Sequence, residues 1–207
     1  MNHRVQEERT EIEQRLAELH QAGRHDEAAA EIVRVYGPEV LGYLARVLGA
    51  QDQAEDVFQH VCAQVIRGLP SFRRQASFRT WVYVIARRSA QRGRAAAARS
   101  ERPLELAPEV AAMAERVRTE TAPYLRTEVK DAFRALRAQL SEEEQSLLVL
   151  RVDRGLEWSD LALVWAEGEG DDLRRLEARL RKKFQRTKDK LRRLAEAEGL
   201  LGRMRPS

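Results

Sequence analysis

A single cysteine, Cys62, is all that 207 residues contain, so no disulfide can form within the chain. The four histidines (His3, His20, His25, His60) are scattered without metal-ligand spacing. Metal and redox chemistry are therefore not expected, and no cofactor is called for. Glycine and proline are scarce and fall at a few points, and no run alternates Val, Ile, Thr or aromatic residues as a strand would. No apolar stretch approaches the roughly 20 residues needed to span a bilayer, and the start of the chain, Met1-Asn2-His3-Arg4, lacks the apolar core of a signal peptide. A cytoplasmic protein is the expectation. There is also no phosphate-cradling glycine loop, no carboxylate cluster suited to a metal and no nucleophile with a nearby base, so an enzyme is not expected.

What remains is helix-forming and charged. The net charge is only +4, but its distribution says more than its sum. Residues 67–102 hold ten arginines against one acid, Glu101; residues 173–193 hold eleven lysines and arginines against Glu177 and Asp189. Each segment carries an excess of nine positive charges, so the rest of the chain is acidic by 14. Two basic patches in an acidic background suit a protein that contacts two stretches of polyanion and offers acidic faces to a basic partner.

The fold class read from the pattern is all-α, with two small helical domains joined by a linker. Boundaries are expected at 1–98, 99–123 (a linker, open to being partly helical), 124–198 and 199–207 (tail). Val5, Ile12, Leu16 and Leu19 form one stripe, with Gly23 as a break. A helix is expected to start at Gly37-Pro38, with Pro38 at its first position, and to end at Gly49. The clearest periodicity follows, in Ala54, Val57, Phe58, Val61, Cys62, Val65, Ile66 and Leu69, with Asp52 and Glu55 as a capping box. Cys62 lies in that stripe and reads as core. Ser77 reads as the N-cap of a helix to about residue 98. Leu125, Val129, Ala132, Phe133, Leu136 and Leu140 suggest one amphipathic helix, Ser141 and Glu144 cap the next, and Gly155 ends it. A short apolar helix over 156–165 and a long basic one over 171–198 complete the chain.

The two basic segments differ in chemistry. In the first, Phe72, Phe78, Trp81 and Tyr83 interleave with Arg73, Arg74, Arg79, Arg87, Arg88, Arg92 and Arg94. Arginine neutralises phosphate, while aromatic faces stack on unpaired bases at roughly 1–3 kcal/mol per base. Single-stranded or melting DNA fits this mixture better than intact duplex. Trp81 shares a helical face with Val84 and Ile85, so core packing and base contact are both open to it; Phe72, in the loop, is expected to be exposed. In the second segment, short helix, turn and long basic helix follow the order of a helix-turn-helix. Leu173, Leu176, Leu180, Phe184, Thr187, Leu191 and Leu194 form the apolar stripe, flanked by Arg179, Arg181, Lys182, Lys183, Arg186, Lys188 and Lys190.

Together these features resemble the bacterial RNA polymerase sigma factors of the extracytoplasmic-function (ECF) class. Ala54-Glu55-Asp56-Val57-Phe58-Gln59 is similar to that family's polymerase-binding helix. Ser77-Phe78-Arg79-Thr80-Trp81-Val82-Tyr83-Val84-Ile85-Ala86-Arg87 is similar to its promoter-melting and minus-10 segment, and Leu147-Leu148-Val149-Leu150-Arg151 with Gly155-Leu156 to the start of its minus-35 domain. The resemblance implies that Glu55, Asp56 and Gln59 meet core RNA polymerase, and that the loop over 72–77 receives a flipped base. It further implies that Arg87, Arg88, Gln91 and Arg92 lie along the neighbouring promoter DNA and that the last helix enters the minus-35 major groove. Either Arg174 and Arg175 or Arg181, Lys182 and Lys183 would form its base-reading end. The partners implied are core polymerase, promoter DNA and the anti-sigma factor usual in the class. The sequence departs from the family's pattern at His60, usually an acid, at Arg88 and Arg92, commonly Asn and Asp, and at Glu157, usually a capping Ser. A stand-alone helix-turn-helix regulator is the other function compatible with the residues.

Overall fold

The computed structural model describes residues 3–96, 108–127, 131–168 and 170–198, which hold nine α-helices and no strand. The chain divides into two units, Met1–Leu125 and Arg126–Ser207. The all-α reading holds throughout the described residues.

The first unit is built on α1 (His3–Gln21), α2 (His25–Leu48), α3 (Gln51–Gly68), α4 (Phe78–Ala96) and α5 (Pro108–Thr127). Gly23, at φ +72°, breaks the chain between α1 and α2 as expected, and Gly49, at φ +75°, ends α2 by donating its N–H to the Ala45 carbonyl. Pro38 does not begin a helix. It sits inside α2, where it lacks the N–H of an ordinary helical residue. The apolar stripe explains why the helix continues. Ile32, Val33 and Tyr36 before the proline and Val40, Leu41 and Leu44 after it keep one phase and are all buried. Burying each is worth about 1.5–3 kcal/mol, which together exceeds the roughly 3 kcal/mol that an internal proline costs.

In α3 the expected stripe is the buried one: Ala54, Val57, Phe58, Val61, Cys62 and Val65. Cys62 is fully buried, and burial pushes its thiol up to about 12. The Asp52–Glu55 capping box is absent. The helix starts at Gln51 with Ala50 as N-cap, so Asp52 already lies in the first turn, where its charge complements the helix dipole.

Where a linker was expected over 99–123, residues 99–107 lie outside the described residues and 108–123 are helical, in the first unit. Val110, Ala114 and Val117, spaced by four and three, are buried. Val117 packs at the α2–α3 seam: a Cβ built on Gly37 of α2 would come within 3.2 Å of both Val117 and Phe58.

In the second unit are α6 (Asp131–Ala138), α7 (Glu142–Leu148), α8 (Trp158–Trp165) and α9 (Leu173–Ala197). The single helix expected from Leu125 to Leu140 is represented by the end of α5 and by α6; residue 129 and the side chains of 125, 132 and 133 lie outside the described residues. The Ser141–Glu144 capping box is present in both halves, and α7 runs on as a π-helical turn, Val149–Asp153, before Gly155 at φ +66°. Asp172 caps α9 by accepting the Arg175 N–H at 3.1 Å. Of the stripe expected in α9, Leu176, Leu180 and Thr187 are buried, Phe184, Leu191 and Leu194 are half-buried, and Leu173 is exposed. The tail over 199–207 lies outside the described residues.

Candidate nucleic-acid interface

The loop that leads into α4 rests on an aromatic cluster. Phe72 stacks on Trp81 with centroids 4.6 Å apart and meets Phe78 at 5.1 Å. His20 of α1 packs edge-on against Phe72 and Phe78 and shares a 3.0 Å hydrogen bond with the Leu69 carbonyl. Phe72 is therefore half-buried rather than exposed, because the rings around it supply a better surface than water. Phe78 is core, while Trp81 is half-buried. Beyond Phe72 the loop turns through Arg74, whose φ of +55° is a left-handed conformation that costs an L-residue roughly 1 kcal/mol. Arg73 and Arg74 are both exposed.

The first turn of α4 is held from two directions. Ser77 caps it as expected, accepting the Thr80 N–H at 3.0 Å. Glu13, from α1, takes the next two orphan donors: its carboxylate accepts the N–H of Phe78 at 2.8 Å and of Arg79 at 3.0 Å, and the Tyr36 hydroxyl at 2.7 Å. Burial, then this hydrogen bond, raise the pKa of Tyr36.

Arg79, expected among the DNA contacts, points inward instead. Its Nε and Nη2 donate to the two oxygens of Glu39 at 2.7 and 2.9 Å, and its guanidinium lies 5.5 Å from the Tyr83 ring centroid. Only 11% of the Arg79 side chain is exposed. Burial is the largest single influence and opposes its charge, but the hydrogen bonds and charge attraction of Glu39, with contributions from Tyr83 and Tyr36, together outweigh it and leave the pKa raised. Farther along α4, Arg88, Gln91 and Arg92 are exposed and Arg87 is half-buried. The side chain of Arg94 lies outside the described residues.

On α3, Asp56 and Gln59 are exposed and Glu55 is half-buried. Glu55 Oε1 accepts the Gln51 amide at 2.9 Å, and its Oε2 pairs with Arg118 of α5 at 2.9 Å.

The basic residues of α9 separate into three groups around the helix. Lys183 and Lys190 are drawn toward α7, binding Glu143 and Glu144 respectively. Glu144 has a lowered pKa: burial raises it, but hydrogen bonds from Ser141 and Lys190 lower it further. On the opposite flank, Arg181 binds Glu177 and lies over the Trp158 ring, and Lys188 lies over Phe184. Between these flanks, away from Leu176, Leu180 and Thr187, the face formed by Arg175, Arg179, Lys182 and Arg186 is exposed. Glu157, which stands in place of the capping Ser usual in the resembled family, makes no side-chain cap for α8 and pairs with Arg151 at 3.5 Å.

The sequence has counterparts among known proteins. Residues 32–100, from α2 through α4, match the model of Sigma-70 region 2. Over 161 residues, 74% of this chain and 82% of the relative, the sequence is 29% identical to RNA polymerase sigma-H factor of Pseudomonas aeruginosa. Over 63 residues, 30% of this chain and 36% of the relative, it is 36% identical to RNA polymerase sigma factor YlaC of Bacillus subtilis. The chain is therefore similar to RNA polymerase sigma factors, and most specifically so over residues 32–100.

Sigma factors are not a family of enzymes. No helix among the described residues of this chain is long and apolar enough to cross a membrane. The partners that position its candidate interface, Glu13, Tyr36, Glu39 and Arg118, were not singled out by sequence reasoning. Glu13 lies 65 residues from the α4 backbone it caps, Glu39 lies 40 from Arg79, and Arg118 lies 63 from Glu55. No local pattern links residues at such separations.

Proposed function

We propose that this protein is a sigma factor that docks on core RNA polymerase through the polar edge of α3, recognises the minus-10 and minus-35 elements of a promoter, and helps open the duplex. Its part is to position and trap DNA, with no bond made or broken by its own residues. The observation that carries the reading is the match of residues 32–100 to Sigma-70 region 2, because that stretch holds α3, the aromatic loop and α4 together.

Within this reading, Glu55, Asp56 and Gln59 meet the polymerase. Arg73, Arg74, Arg87, Arg88, Gln91 and Arg92 neutralise phosphates near the minus-10 element. The loop over 72–77 takes up a flipped base against the Phe72–Trp81 stack. Arg79 is left out, since Glu39 occupies its guanidinium. On α9 the face of Arg179, Lys182 and Arg186 approaches the minus-35 duplex, with Lys183, Arg181 and Lys188 at its margins; salt-bridge and ring partners hold these three.

Phe72→Ala tests the base-trapping step. Loss of one base stack is worth roughly 1–3 kcal/mol, so open-complex formation on a duplex promoter is expected to fall about tenfold or more. A template already melted over the minus-10 region is expected to be affected less, because its strands need not be separated. Equal losses on both templates would remove Phe72 from the opening step.

A further inference from the structure

We propose that α5 is a built-in cover on the polymerase-docking edge of α3, displaced when core polymerase binds. The inference rests on the reading of α3 given above. Both oxygens of Glu55 are occupied in the free chain: Oε1 by Gln51 of the same helix, Oε2 by the Arg118 guanidinium from α5. The Arg118 and Glu55 side chains are only 28% and 20% exposed, so the ion pair sits under partial cover and not on a mobile fringe. One residue earlier, Val117 fits the notch left by Gly37, where a side chain at 37 would collide with it. A polymerase surface that takes Glu55 must first replace Arg118.

The attachment is built to be reversible. Through residue 121, the buried side chains of α5 are Val110, Ala114 and Val117, which remove far less apolar area from water than the leucine, isoleucine and tyrosine side chains that fix α2. Arg118 also binds Glu115 on its own helix at 2.8 Å, so it keeps a carboxylate partner after releasing Glu55. The cover further indicates the chemistry of what displaces it: a basic surface with small apolar side chains, matching an acidic edge beside a shallow seam.

The test uses the full chain and bacterial core polymerase. Opening the cover with Val117→Asp and Arg118→Glu together is expected to tighten core binding about tenfold, since a competent state populated at a tenth raises the apparent Kd by that factor. Arg118→Gln, which keeps the apolar contact, should move affinity in the same direction by less. In the wild type, amides over 110–120 are expected to exchange hydrogen faster in the complex than in the free chain. Wild-type binding with no gain in either variant and undiminished protection of α5 would overturn the cover alone. No binding by any of the three chains would overturn the docking reading, and the cover with it.

Discussion

Arg79→Ala is expected to destabilise the first unit by about 3 kcal/mol, measured as a lowered urea midpoint with an unchanged slope. The substitution leaves the Glu39 carboxylate, itself only 21% exposed, without the forked donor that holds it. It also strips the cation from the face of Tyr83. Removing one member of a buried pair costs more than the pair contributes, because the survivor stays desolvated. A residue that only touched phosphate would behave differently: Arg79→Ala would then leave the urea midpoint alone and reduce the salt dependence of DNA binding. The same comparison applied to Arg92, which is exposed, is expected to show that second pattern.

Neutralising the outer face of α9 is expected to have the largest effect on duplex binding. Each phosphate contact releases counterions, so replacing Arg179, Lys182 and Arg186 by glutamine should reduce the slope of log K against log salt by about 2.7, nearly one unit per residue. Stability should change little, because all three are exposed and none belongs to the buried stripe of Leu176, Leu180 and Thr187. Replacing Lys183 and Lys190 should do the reverse, loosening α9 from Glu143 and Glu144 with a smaller change in slope. If the Lys183 and Lys190 substitutions reduced the slope most, the flank facing α7 would be the one that meets DNA.

These two contrasts also mark where the sequence was legible. Local, periodic or capped features could be read directly: the α3 stripe, the Ser141–Glu144 box and the breaks at Gly23, Gly49 and Gly155 involve residues a few positions apart, and helix geometry makes such spacing meaningful. Pro38 misled because a strong local signal lost to burial on both sides of it. The α5 segment read as a partly helical linker, and not as a packed helix of the first unit, because its apolar residues are small and set among charges, so its stripe has little contrast. Arg79 misled for a different reason. An arginine beside aromatics has the same sequence signature whether it faces phosphate or a carboxylate 40 residues away, and only the approach of α2 to α4 decides between them. Glu13 carried no signal at all, although its carboxylate fixes the first turn of α4 and with it the exit of the aromatic loop. The basic content of both segments was visible; which of their cations are free to meet DNA depends on acids elsewhere in the chain.

Direction of initiation by core polymerase is the activity proposed for the chain. The most direct measurement is transcription in vitro from genomic promoter fragments, with bacterial core RNA polymerase in the presence and absence of the purified protein. Discrete, promoter-dependent transcripts that require both components are expected, and combined substitution of Asp56 and Gln59 should reduce them by weakening core binding. Failure to bind core or to support any promoter-dependent transcript, together with sequence-specific DNA binding by the protein alone, would contradict the account and identify a helix-turn-helix regulator.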